Sequence, residues 1–107
     1  MSGYIAMNRF KVALGSEQDF EDVWLNRESK LSTVPGFTSF MMLKGERSSD
    51  HSLYVSHSTW DTYDAFVMWT KSEAFRAAHR NVGDKKPLYL EPPKFEGFEV
   101  IQAETGN

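Results

Sequence analysis

The chain is expected to fold as α+β, a ferredoxin-like antiparallel sheet with helices on one face. Three observations predict this. Strand and helix signals follow one another in the order β-α-β-β-α-α-β. The first two strands carry apolar residues on both faces, although helices can cover only one face of such a sheet. No repeat or low-complexity stretch divides the 107 residues, so positions 1–107 read as a single domain.

The first strand runs from Tyr4 to Leu14, with Tyr4, Ala6, Asn8, Phe10 and Val12 on one face and Ile5, Met7, Arg9 and Lys11 on the other. Gly15-Ser16 breaks it. Ser16 is suited to cap a helix whose first turns carry Glu17, Asp19, Glu21 and Asp22, as the helix dipole favours. Phe20, Val23, Trp24 and Leu31 make its apolar stripe, and Val34-Pro35-Gly36 supplies the turn that ends it. A second strand, Phe37 to Lys44, places Phe37, Met41 and Leu43 on one side and Phe40 and Met42 on the other. A polar hairpin-like loop, Gly45 to Ser52, leads into a third strand, Leu53 to Trp60. Asp61 is placed to cap a second helix with Tyr63, Phe66, Val67 and Trp69 inward. Ser72 can recap a short third helix in which Phe75, Ala78, His79 and Val82 share a face. Gly83 to Pro93 reads as an extended loop, and Phe95 to Ile101 as the last strand.

Composition narrows the chemistry. Eight Phe, four Tyr and three Trp offer more apolar area than one small interior needs, so some should meet a partner subunit or a flat apolar ligand. The doubly apolar strands point to a two-fold homodimer formed through the uncovered sheet face. The absence of cysteine excludes disulfides, thiol catalysis and zinc-thiolate sites, and His51, His57 and His79 are too scattered for a metal cluster. A net charge of −3 gives no general attraction to nucleic acid or anionic membranes. The N-terminus has no basic segment followed by an apolar run, and no stretch suits a bilayer, so the cytoplasm is the expected location.

His79 sits on the apolar side of its helix as either a packed, hydrogen-bonded side chain or an axial ligand. Ala74, Ala77 and Ala78 leave space beside it for something broad and flat. Lys71, Arg76, Arg80, Lys85 and Lys86, five of the twelve basic residues, suit ligand carboxylates or form a solvated helix face. Asn8 is unusual mid-strand, where a short amide has low propensity; it either bonds a neighbouring backbone group or points into a polar-bottomed cavity. Trp69 stands ten residues before His79, while Trp24 and Trp60 read as core. Asp50-His51 reads as turn, and His57 lies between two serines with no nucleophile or carboxylate geometry.

Met7-Asn8-Arg9-Phe10, Val34-Pro35-Gly36-Phe37, Trp60 at its strand end, and above all Trp69 through His79 together resemble the IsdG-type haem-degrading monooxygenases of the antibiotic biosynthesis monooxygenase superfamily. That resemblance implies a dimeric α+β barrel and oxidative opening of haem by O₂ and an electron donor, to a bilin with iron release. It matches Asn8, Trp69 and His79 to the family's catalytic residues. His79 would be the proximal iron ligand, Asn8 a donor near the distal ligand, and Trp69 the ring that forces the porphyrin out of plane. Phe75 and Arg76 would join them in binding haem, which is substrate and cofactor at once. The loops Gly45–Ser52 and Gly83–Pro93 find no match in the family pattern. Other readings of the same residues are a cofactor-free monooxygenase of an aromatic or quinol substrate with His79 as base, a non-catalytic haem carrier, and a dimeric interaction domain without a ligand.

Overall fold

The structure is a computed structural model that describes residues 3–26, 31–72 and 88–106. Four strands, β1 (Gly3–Ala13), β2 (Phe37–Arg47), β3 (His51–Trp60) and β4 (Lys94–Val100), form one antiparallel sheet in the order β2-β3-β1-β4. Two helices, α1 (Glu17–Leu25) and α2 (Tyr63–Thr70), cover one face, and a short 3₁₀ turn, Leu31–Thr33, precedes β2. This is the ferredoxin-like arrangement that the element order predicts. The predicted third helix, with Phe75, Arg76 and His79, lies outside the described residues.

Two clusters share the covered face. Phe10, Val12, Phe20 and Tyr54 form one beneath α1, with Trp24, Met42, Leu88 and Tyr89 packed against it. Tyr4, Ala6 and Trp60 form the other beneath α2, joined by Leu31, Val34, Phe37, Ala65, Phe66 and Trp69. Trp24 stacks on Phe40 at 5.9 Å between ring centroids, and Trp60 meets Phe37 edge-on at 5.4 Å. Trp60 is therefore a core residue, as expected, while Trp24 is partly buried against the first cluster.

Several boundaries differ from the pattern-based ones. α1 ends at Leu25 with Asn26 as its cap, so Leu31 leaves the α1 stripe and joins the second cluster, and Val23 is exposed. Ser16 makes no capping side-chain bond; the Glu17 carboxylate instead accepts from the Gly15 N–H at 2.8 Å. Thr62, not Asp61, caps α2 by accepting from the Ala65 N–H at 3.0 Å, because the chain needs Asp61 one residue earlier to bond the Gly36 carbonyl. The hairpin loop is tighter than Gly45–Ser52, since β2 continues to Arg47 and β3 starts at His51, with Ser48, Asp50 and His51 hydrogen-bonded at the turn.

The largest departure is in β2. A register irregularity between Phe37 and Ser39 rotates the strand, so Phe37 shares the helix-covered face with Phe40 and Met42. Strict alternation would set Phe37 with Met41 and Leu43, which remain on the uncovered side at 49% and 38% exposure.

Two carboxylates one turn apart tie α1 to the hairpin. Glu17 accepts from the Ser52 hydroxyl at 2.8 Å and faces Arg47; Glu21 accepts from the Tyr54 hydroxyl at 2.5 Å and pairs with Lys44 at 3.2 Å. These hydroxyl bonds, followed for Glu21 by the Lys44 contact, hold both carboxyls below their ordinary pKa of 4.5, and burial together with Glu21 pushes the Tyr54 phenol up.

A group whose folded pKa is depressed stabilises the fold above its unfolded value and loses that contribution as pH falls through the folded value. The urea midpoint of the protein is therefore expected to fall on acidification below pH 4.5, and E21Q to show a shallower fall. An E21Q variant with the native slope overturns this account. Gly36 sits at φ +83°, and a Cβ there would stand 2.4 Å from that of Ala65 on α2. G36A is expected to cost about 1–2 kcal/mol from the left-handed backbone alone, with the clash added, and thermal melting measures it.

Candidate functional site

The boundary between the two clusters is a row of residues crossing the sheet. Met42 on β2 lies opposite Ser56 on β3, Ser56 opposite Asn8 on β1, and Asn8 opposite Phe95 on β4. All four point to the helix-covered side, since Asn8 alternates with Ala6 and Phe10, and Ser56 with Tyr54 and Ser58. The row is apolar at its ends and polar at its centre. On one side stand Phe10 and Tyr54 of the α1 cluster; on the other stands Ala6 of the α2 cluster. Phe95 stacks on Phe66 of α2 at 5.7 Å with the rings 12° from parallel, which closes the β4 end of the row with an aromatic pair.

Asn8 is half-buried, and its amide makes no side-chain hydrogen bond among the described residues. Of the two roles open to it from the sequence, bonding a neighbouring backbone group is the one not observed. Ser56 was not singled out by the sequence, where serines at 52, 56 and 58 all alternate along one strand. Only cross-strand register distinguishes it, by placing it beside Asn8.

Trp69 occupies the last turn of α2. Its ring packs on Trp60 at 5.3 Å and near Phe66 at 6.2 Å, so it is partly a core residue of the second cluster. It also borders a cavity of about 730 Å³ between the turn at 33–36 and α2, a size within the roughly 300–1,000 Å³ usual for small-molecule and cofactor sites. Val34, Pro35, Ala65 and Met68 give that cavity apolar walls, and Asp61 and Asp64 give it an acidic rim. Asn8 does not line it. The structure thus sets Asn8 and Trp69 on the same side of the sheet, flanking one cluster, without bringing both into one cavity. Phe75, Arg76 and His79 fall outside the described residues.

The other histidines keep the positions the sequence suggests. His51 is bound into the turn by Asp50 at 2.7 Å. His57 faces the opposite side of the sheet from Ser56 and Ser58, so it joins no triad with them.

The antiparallel sheet in the order β2-β3-β1-β4, with its helices on one face, defines a ferredoxin-like α+β protein. The chain belongs to the antibiotic biosynthesis monooxygenase family, whose sequence profile matches residues 3–81. It is 29% identical over 96 residues to a heme-degrading monooxygenase of Bacillus thuringiensis (strain Al Hakam), across 90% of this chain and 88% of the relative. Among solved structures, the heme-degrader MhuD of Mycobacterium tuberculosis, with two hemes in its active site, superposes with a TM-score of 0.73 at 21% identity, over 95% and 99% of the two chains. A mutant of SnoaB, a cofactor-independent oxygenase of Streptomyces nogalater, gives 0.69 at 26% identity, over 94% and 95%.

If the Asn8 amide is held for a ligand and not for the fold, a β-branched apolar residue should serve the strand better. N8V is expected to stabilise the protein by about 0.5–1 kcal/mol, read as a higher melting temperature. A destabilised N8V would assign the amide a structural role.

Proposed function

We propose that this chain is a haem-degrading monooxygenase that binds haem as its substrate on the helix-covered face and opens it with O₂ and an external reductant, yielding a bilin and free iron. The supporting observation is the row at the cluster boundary. It sets Asn8 and Ser56 between Met42 and Phe95 with aromatic clusters on both sides, a pattern of polar centre and apolar surround that matches the chemistry of a flat macrocycle with a polar centre. The relatives named as heme-degrading support the same reading at the level of sequence.

In this reading His79 is the proximal iron ligand, with Phe75 and Arg76 beside it. Asn8 would supply amide N–H donors to the bound group, and Trp69 would press its ring against the porphyrin. Lys71 and the basic residues that follow it in sequence would attract the haem carboxylates, which Asp61 and Asp64 on the cavity rim would repel. Residues 1–107 act as one domain, placed in the cytoplasm and serving iron acquisition. The described helices include none long and apolar enough to cross a membrane.

The working form in this proposal is a homodimer. The uncovered sheet face presents Met41, Leu43 and Phe98 partly exposed, together with Ile5, Met7 and His57, whose Nδ1 is buried without a partner among the described residues. Strands of 11, 11, 10 and 7 residues, at about 3.3 Å per residue and about 4.8 Å apart, give a face of roughly 600 Å². That is the lower end of the range per partner for a stable interface.

Haemin added to the purified protein, followed by ascorbate in air with catalase present, tests the function. Loss of the Soret band with release of iron is the expected outcome. A stable complex would instead identify a haem carrier, and no complex at all would leave a cofactor-independent oxygenase, as the Streptomyces nogalater relative is described, or an interaction domain without a ligand. W69F is expected to bind haemin but degrade it slowly. H79A is expected to lose the iron–imidazole spectrum, and an unchanged Soret band in H79A removes the ligand assignment.

A further inference from the structure

We infer that Ser56 is a second ligand-contacting residue of this site, pairing with Asn8 to fix how the bound ring is oriented; the inference rests on the haem reading above. Three serines of β3 face the helices, and two are engaged. The Ser52 hydroxyl donates to Glu17 at 2.8 Å, and the Ser58 hydroxyl donates to the Ala6 carbonyl at 3.3 Å while accepting from the Trp60 indole N–H at 3.0 Å. These bonds explain why polar residues are present there: one anchors α1, the other seats the core tryptophan.

Ser56 has no such explanation. It is only 7% exposed, yet its hydroxyl makes no side-chain hydrogen bond among the described residues. Among the described residues only His57 Nδ1 is buried without a partner, so the Ser56 hydroxyl keeps access to the space over the sheet while adding little strand propensity. Its cross-strand neighbour Asn8 is in the same condition, and the two lie side by side between aromatic clusters. Two adjacent uncommitted polar groups on an apolar floor form a hydrogen-bonding pair for a ligand that packs over them.

The pair is also asymmetric. Ser56 stands on the Met42 side of Asn8, away from Phe95. A donor there breaks the equivalence of the ring's edges, so Ser56 is a specificity-determining residue: it selects the position at which the macrocycle is attacked.

Three substitutions separate hydroxyl from volume. S56A removes only the hydroxyl, S56T keeps it on a β-branched side chain, and S56V fills the same volume without it. S56A is expected to melt no lower than the native protein and to bind haemin within about twofold. Its turnover is expected to fall roughly five- to tenfold, the worth of one hydrogen bond, with a changed ratio of bilin isomers by chromatography. S56T should restore the ratio and S56V should not. The Soret position of the ferric complex, which needs no turnover, is expected to move in S56A. Haemin binding with rate, isomer ratio and spectrum all unchanged in S56A overturns this inference alone. Failure of the native protein to bind haemin overturns the haem reading and this inference together.

Discussion

The architecture depends on one division: the helix-covered face of the sheet holds two aromatic clusters, and a row with polar residues at its middle separates them. A single continuous core would be the simpler way to bury fifteen aromatic residues on a small sheet. Here α1 rests on Phe10 and Tyr54, and α2 on Tyr4 and Trp60, while Asn8 and Ser56 occupy positions that an apolar pair would fill more favourably. The fold thus keeps two polar side chains at the middle of an otherwise apolar face.

Much of the rest follows from holding two helices in place over separate supports. Glu17 and Glu21 each join α1 to the β2–β3 hairpin through a hydroxyl and a cation, so the helix is positioned by directional bonds as well as by packing. α2 is positioned differently. Its cap at Thr62, the Asp61 bond to Gly36 and the close approach of Gly36 to Ala65 fix its start against the turn before β2. Near β4, Gly97 leaves room for the Tyr4 ring, whose hydroxyl lies where a Cβ would stand.

The fold class was legible because strand and helix signals follow one another in order and the turns carry their usual residues. Asn8 could be picked out as an amide interrupting an apolar face. Ser56 could not, because a serine flanked by serines two positions away carries no local signal; only the pairing of β3 with β1 distinguishes it. The β2 facing was misread because a strand irregularity adds a residue without changing composition. The end of α1 was misread because Leu31 matches helical spacing from Phe20 by coincidence, while packing assigns it to the other cluster.

That extra residue in β2 has a further effect. By turning the strand once, it allows a single edge segment to contribute Phe37 to one cluster and Phe40 with Met42 to the other. Shortening the segment by one position would force a choice between them, and whichever half lost its aromatic would be opened to water. Length at this point is thus under tighter constraint than residue identity, a form of restriction that a comparison of side chains alone would overlook.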